Sequence, residues 1–578
     1  MVRWIEDNEP SERFPLWTRA NVGEVLPEPP TPLGWDLVWE NGTLPGWRDC
    51  AVKRIGVNPH ELSEVRPEVC GLFGGYGYLN ATAVRLFGHR APDMTAEEID
   101  AAYFGDHPDV PPWVPEPWHE DEAQTAKVGE WMGWVMTTTE QPELEADREF
   151  AERVRAERPD YSSMSLDELL AFVDELVPSF RRMFEQHIHQ SAAASIGPGV
   201  IGAVAEAVGD PTLTLKIIGA VGDVDSAAPS YAMWELSRQV RTSDALGAAF
   251  AEGVDGLDAR LRAGGDEDVA AFVADLDDFL ARFGSRGPNE WDIHAHTWET
   301  NPDLVLAMVD RMRLSGDDES PVSSHAQREA ERAAIVQHVT EALAGDPEAQ
   351  GQFQAGVASA ARFVPGRERS KTSIIKVIHE ARMATWEIGR RLVAAGAIDE
   401  PRAVAMLFRD ELQRALDDAD FARDTIAARY EHWHHLRTIE PLFLINGTPP
   451  PADSWPRKAD ASFTALGDGE VLQGVPGSSG SYRGTARVVL DPSDPTVLGP
   501  GDILIAPHTD PAWTPLFVPA GAVVVDVGAA LSHAIIVSRE LGLPCVVSAT
   551  SATRRIPDGS EIEVNGDTGT VTVVSVPV

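Results

Sequence analysis

Ser532 and His533 stand inside AVVVDVGAALSHAIIVSRELGLPCVV, residues 522–547. The run reads as strand, tight turn, helix, Gly-Pro stop and strand. Gly528 and the two alanines after it keep the turn small. Serine and histidine then fall in the first turn of the helix. Backbone N–H groups are free there and the helix dipole is positive, a setting that suits phosphate. A neutral imidazole is a good nucleophile near neutral pH, and a phosphoryl group on its nitrogen would be held by those N–H groups. Ser532 can cap the helix and donate one further hydrogen bond. Spacing alone also fits a plain N-cap serine beside a surface histidine.

A second polar cluster lies in SRGPNEWDIHAHTW, residues 285–298. Gly-Pro-Asn is loop chemistry. Glu290, Asp292, His294 and His296 follow and are candidates to line an acceptor site, because an acceptor hydroxyl needs a general base and His or a carboxylate is the usual choice. A loop that packs domains together fits the same residues. Two other signals carry no chemistry. GPGVIG (197–202) spells a dinucleotide fingerprint but follows a helical run rather than a strand. The histidines of HIH (187–189) and HWHH (432–435) lack the cysteine or acidic companions of a zinc site, so no metal is expected on this chain.

The elements that must position these residues change along the chain. Residues 1 to about 120 are rich in Pro, Trp and Gly; LPEPPTPLGW (26–35) and DVPPWVPEPW (109–118) exclude long helices. From about 121 to 440 the pattern is helical. Ser165 and Glu168 form a capping box with Met164 and Leu169 placed as a staple, and Leu166, Leu169, Leu170, Val173, Leu176 and Val177 recur at helical spacing. Similar patterns occur near 327–345, 372–394 and 402–417. NGTPPPADSWPRKADASF then breaks the period and reads as a surface linker. Beyond it, strands are predicted at Arg487–Leu490, Ile503–Ala506, Ala522–Val525, Cys545–Ser548, Glu561–Val564 and Thr570–Val574, with one helix from His533 to Leu541. The expected organisation is a multidomain chain: a mainly α-helical acceptor-binding domain over 1–445 with a Pro/Trp-rich start, a linker over 446–470, and a β/α domain over 471–578.

Composition is that of a globular protein, 43% hydrophobic and 24% charged. The 578-residue length calls for more than one core. A net charge of −43 argues against nucleic acid and anionic membrane as partners. Three cysteines, Cys50, Cys70 and Cys545, form no disulfide framework. The acidic start MVRWIEDNEP is no signal peptide, and no uninterrupted apolar run reaches the roughly 18 residues of a membrane helix. The expectation is a soluble cytoplasmic protein.

The segment 471–578 resembles the mobile, swivelling phosphohistidine domain of the phosphoenolpyruvate-utilising enzymes, such as pyruvate phosphate dikinase, phosphoenolpyruvate synthase and rifampicin phosphotransferase. The resemblance rests on GSSGSYRGTARVV (477–489), PGDILIA (500–506), TDPAWTPLF (509–517), the Ser-His turn and DGSEIEVNGDTGTV (558–571), in that order. It implies a β/β/α swivelling fold and places the phosphorylated histidine on His533. One departure stands in the turn, where the family's second glycine is Ala529, a residue strained at positive φ, followed by Ala530.

WTRANVGEVLPEPPTPL (17–33), FLARFGSRGPNEWDIHAHTWETNP (279–302) and RERSKTSIIKVIHEARMATWEIGRRLVAAGAID (367–399) resemble the substrate domain of rifampicin phosphotransferase and its relatives. The family's phosphoryl-contacting Arg, and the Lys four residues on, fall on Arg367 and Lys371. An i,i+4 pair shares one helix face, and its like charges repel until an anion sits between them. The family usually shows Pro-Arg-Trp where His296-Thr297-Trp298 stands, which implies a different acceptor. No ATP-grasp domain is recognisable. The resemblance therefore implies ATP and Mg2+ bound mainly by a separate ATP-grasp protein, as in the split phenylphosphate synthase, with phosphate passing through His533 to a phenol, alcohol or antibiotic hydroxyl. The alternative is a phosphocarrier or regulatory protein that hands phosphate to another protein.

Overall fold

The computed structural model describes residues 2–577 except 65, 105–106, 108, 211, 220, 223–224, 226–227, 318–319, 461–462, 493–497, 511–512 and 529–531; the side chains of 321–326 and 515 also lie outside the description. The chain divides into two compact units. The first comprises 1–193, 289–295 and 369–462, and the second 194–288, 296–368 and 463–578. Residues 194–288 and 296–368 thus group with the C-terminal β/α segment rather than with the rest of the helical region.

In the first unit the packing centre is the C-terminal part of the helix Pro347–Ala394. Ile374, Ile375, Val377, Ile378, Ala381, Ala384, Ile388 and Leu392 are all buried along it. That is apolar surface on more than one face, which marks a helix enclosed by others. The first turns of the helix Leu166–Val208 pack into the same core through Leu169, Leu170, Val173 and Leu176. The expected capping box forms: Ser165 N–H donates to Glu168 (2.7 Å) and Glu168 N–H donates to the Ser165 hydroxyl (3.2 Å). An 18-residue window of the same helix, with a mean hydropathy of 1.4, is apolar and long enough to cross a membrane by length and composition, and 33% of it is buried. The expected helix near 402–417 is instead a pair of 3-10 turns, Pro401–Met406 and Arg409–Glu411, followed by the short helix Leu412–Asp417. Ala403 to Phe408 are all buried, so this apolar run has no solvent face to give it a helical period.

The first unit also holds a sheet that periodicity does not reveal. Strands β1 (Leu16–Thr18), β2 (Cys70–Phe73), β3 (Tyr76–Asn80) and β4 (Leu444–Asn446) pair antiparallel in the order β2-β3-β1-β4. The strands are short and β1–β3 are buried throughout, so no in–out alternation marks them. Trp455, within the segment expected as a linker, is buried among Trp17, Phe73, Tyr76 and Ile439.

In the second unit the C-terminal segment forms one eight-stranded mixed sheet. Its strands are β5 (Val471–Gln473), β6 (Val475–Ser478), β7 (Ser481–Val488), β8 (Ile503–Ala506), β9 (Ala522–Val525), β10 (Cys545–Val547), β11 (Glu561–Asn565) and β12 (Thr570–Ser575), in the order β5-β12-β11-β7-β8-β9-β10-β6. Strands β7 to β10 run parallel, and their apolar runs ILIA, AVVV and CVV are buried on both faces. Leu504, Val523, Val525 and Val547 pack on one side with Ile535 and Val537 of the helix His533–Leu541, while Ile503, Ile505, Val524 and Val546 face the other core with Ile562 and Val571. The helix has the bounds predicted from sequence. Strand β7 begins earlier than predicted because its polar first half pairs with β11 (Tyr482 opposite Val564) and only its end pairs with β8. Strands β5 and β6 were not predicted; β6 carries Pro476, tolerated at the sheet edge where it lies.

Candidate active site

His533 opens its helix directly after the loop that leaves β9. It is buried, 4% exposed, not a surface residue. Its Nε2 lies 2.9 Å from the hydroxyl of Thr514 and its Nδ1 3.0 Å from the hydroxyl of Thr509. The Phe517 ring stands edge-on at 5.9 Å. All three partners come from the TDPAWTPLF segment. Each hydroxyl can donate to or accept from a ring nitrogen, so the pair of threonines accommodates a neutral imidazole in either tautomer. With Nδ1–H donating to Thr509, the lone pair of Nε2 points at Thr514. In that tautomer Nε2 is the nitrogen with a lone pair available to an electrophile.

Ser532 occupies the N-cap position, but its hydroxyl makes no capping bond. The oxygen is buried, and among the described residues it has no hydrogen-bond partner. The expected cap is therefore absent. What remains is a buried hydroxyl beside the first turn of the helix, where the orphan N–H groups lie. Gly528 is demanded by space: a Cβ there would meet Val547 Cβ at 2.8 Å and Ser532 Oγ at 3.2 Å. Ala529, expected to be strained at positive φ, and Ala530 lie outside the described residues.

Asp526, at the end of β9, was not singled out from sequence. Its carboxylate accepts from the amide (2.8 Å) and hydroxyl of Thr553, tying the far side of the turn to the helix Ala552–Arg555. Burial pushes it up to about 6, and the Thr553 hydrogen bonds oppose that rise.

In the first unit, Glu290, Asp292 and His294 are brought together and all are buried. The Asp292 carboxylate accepts from Thr31 N–H (2.7 Å), the Thr31 hydroxyl (2.6 Å) and His294 N–H (2.8 Å). Burial raises its pKa, partly offset by those three bonds. So engaged, Asp292 orders the loop. His294 Nε2 lies 2.9 Å from the Tyr430 hydroxyl. Arg382, buried, donates to the carbonyls of Glu290 (2.6 Å) and Asp292 (3.0 Å), and Trp386 donates to that of Ile293 (3.0 Å). These two helix residues fix the loop through its backbone.

Lys371 Nζ stands 3.6 Å from Glu290 Oε1. Beside Glu290 in sequence, Trp291 packs with Trp39 (5.6 Å) and Phe184 (5.7 Å), and His187 joins Phe184 and hydrogen-bonds Ser370 at 3.0 Å. Arg367, in the second unit, pairs with its neighbour Glu368. Each cation of the i,i+4 pair therefore has its own carboxylate. His296 also falls in the second unit, its Nδ1 3.5 Å from the Thr300 hydroxyl. Among the described residues no group of three or more His, Cys, Asp or Glu is placed to hold a metal ion.

Residues 498–569 match the mobile domain of PEP-utilising enzymes, and residues 186–368 match the fourth domain of rifampicin phosphotransferase. Among curated proteins, the chain is 30% identical over 304 residues to the rifampicin phosphotransferase of Streptomyces sviceus, covering 52% of this chain and 34% of that protein. It is 32% identical over 317 residues to the prodigiosin synthesizing transferase PigC of Serratia marcescens (53% and 34%). An uncharacterized protein of Mycobacterium tuberculosis is 32% identical over 295 residues (51% and 31%). The chain thus spans about a third of the length of these relatives.

Proposed function

We propose, on the premise that this chain belongs to the phosphoenolpyruvate-utilising enzyme family and resembles rifampicin phosphotransferase, that it is a phosphotransferase carrying a phosphoryl group on His533 to a hydroxyl of a small organic molecule. The observation that supports this reading most is His533 itself, at a helix N-terminus with its ring nitrogens held by Thr509 and Thr514.

In the first step Nε2 attacks a phosphorus of ATP. The N–P bond forms at the β-phosphorus, the α,β P–O bond breaks and AMP leaves; water then cleaves the β,γ P–O bond, releasing inorganic phosphate and leaving one phosphoryl group on His533. The nucleotide and Mg2+ belong to a separate ATP-grasp protein, and AMP and inorganic phosphate are the by-products. The β/α domain then swings. In the second step the acceptor oxygen attacks phosphorus, the N–P bond breaks, and the acceptor proton passes to a base. Glu290 is the group we assign to that proton, because Asp292 is committed to Thr31 and His294 backbone. Lys371 beside Glu290, and Arg367, stabilise charge on the moving phosphoryl group. Trp39, Phe184 and Trp291 pack on one another in the core beside the loop of Glu290 and hold it in place. The reading includes a soluble cytoplasmic protein, consistent with three free, buried cysteines.

The test incubates the chain with ATP, Mg2+, an ATP-grasp partner and a library of phenols, alcohols and antibiotics. A phosphorylated small molecule together with AMP is expected. Stable phosphate on a second protein, with every hydroxyl compound unmodified, would instead assign the phosphocarrier role.

A further inference from the structure

At the other end of the His533 helix, the second unit encloses a cavity of about 380 Å³. Its wall gathers Lys216, Arg328, Arg332 and Arg539 against a single carboxylate, Glu331. Four cations around one hollow is an uneven use of basic residues in a chain of net charge −43.

Buried Glu540 faces Arg328, Arg332 and Arg539 as a shared counter-charge, yet each cation keeps hydrogen-bonding capacity that it does not use within the described residues. Arg539 is 7% exposed, and its one hydrogen bond among the described residues runs from Nε to the Gly477 carbonyl (2.9 Å). Its two terminal nitrogens have no protein partner among the described residues, and burial has already pushed it down to about 10. Arg328 donates to the carbonyls of Leu541 and Glu540, at the negative end of the helix, and its Nε has no partner among the described residues. Gly542 makes room for it: φ is +74°, and a Cβ there would lie 2.5 Å from Arg328 Nη1. Among the described residues, the one hydrogen bond of Arg332 runs from Nε to the Ile217 carbonyl (2.6 Å). Lys216 has one carboxylate nearby, Asp210 at 3.7 Å. The hydroxyl of Ser479, also in the wall, is buried without a partner among the described residues.

Guanidinium forks, an ammonium and a free hydroxyl converging on one volume are the chemistry that recognises phosphate oxygens. The unused guanidinium, ammonium and hydroxyl donors call for an anion with several acceptor oxygens, and the volume is that of a small-ligand site. We propose that this cavity binds a multiply charged phosphate anion of the diphosphate class. Arg539 sits six residues after His533, about 9 Å along the axis, so the site is separate from the nucleophile. Lys216, Arg328 and Arg332 come from the helical segment and Arg539 and Ser479 from the β/α segment, so the bound anion ties the His533 helix to the helices beneath it.

Calorimetric titration of the full chain with inorganic pyrophosphate tests this. Saturable binding is expected at low salt, weakening as salt rises, with a raised melting temperature. Lys216→Gln and Arg332→Gln should each weaken it at least tenfold, while His533→Ala should leave it unchanged. If Arg332→Gln fails to fold, Lys216→Glu carries the test, because that side chain is 40% exposed. No saturable binding to the wild type overturns the proposal. So does binding that is lost in His533→Ala or unaffected by the Lys216 substitutions.

Discussion

Thr509 and Thr514 grip His533 from opposite sides of its ring, 3.0 Å from Nδ1 and 2.9 Å from Nε2. In the proposed function Thr509 sets the tautomer, and Thr514 occupies the place the phosphoryl group would take. Thr509→Val keeps shape and removes the acceptor of Nδ1–H. Leaving that donor unsatisfied costs about 1–3 kcal/mol. Phosphorylation of His533 should slow by about 10- to 100-fold with little change in far-ultraviolet circular dichroism, as a rapid-quench charging assay would read.

In the proposed function Lys371 serves the acceptor step. An electrostatic clamp on a transferring phosphoryl group contributes about 3 kcal/mol, so Lys371→Ala should lower turnover roughly 100-fold. Charging of His533 should proceed at the wild-type rate. Single-turnover measurements with pre-phosphorylated protein separate the two steps, and failure to charge would remove Lys371 from the role assigned to it.

Asp292 is a positioning residue, and its loss should appear first in stability. Asp292→Ala strands the Thr31 amide, the Thr31 hydroxyl and the His294 amide in a buried site. A loss of about 3 kcal/mol is expected in denaturant unfolding of the first unit. Asp292→Asn, which keeps part of the acceptor set, should lose less.

Two buried acids give the second unit a pH dependence of defined sign. Burial pushes Glu540 from 4.5 up to about 7, against the opposing pull of the Val221 amide, Arg328, Arg332 and Arg539. Burial likewise pushes Asp526 from 3.8 up to about 6. Each folded-state value lies above the unfolded one, so folding takes up protons. The stability linked to Asp526 is fully present below pH 3.8 and is lost as pH rises through about 6; that linked to Glu540 is present below 4.5 and lost through about 7. Stability of the second unit should therefore fall between about pH 4 and 7, by an amount on the order of a few kcal/mol, and level off above about pH 7. Glu540→Gln should flatten the upper half of that curve in scanning calorimetry.

The parts of this architecture that sequence makes legible are those with local causes. The helix His533–Leu541 is bounded by a serine before it and by Gly542 and Pro544 after it, and ILIA, AVVV and CVV announce buried parallel strands. The resemblance carried by the Ser-His turn is equally local. What stayed hidden depends on tertiary placement. β1 and β4 are three residues each and meet from opposite ends of the chain. Arg382 reads as one more helix cation until its guanidinium is seen on the carbonyls of Glu290 and Asp292. Thr509 and Thr514 are loop residues in sequence and become partners of His533 only once the sheet brings them together. Ser532 shows the converse, since a residue type suited to capping is present while the capping bond is not.

The central claim is that the phosphoryl group rides on His533. The most direct measurement is mass mapping of the chain after charging by ATP and its ATP-grasp partner, with peptides handled at alkaline pH. The account predicts one phosphoramidate, stable to base and labile to acid, on the peptide containing His533, and none in His533→Ala. A label on any other residue, or undiminished labelling of His533→Ala, would contradict it.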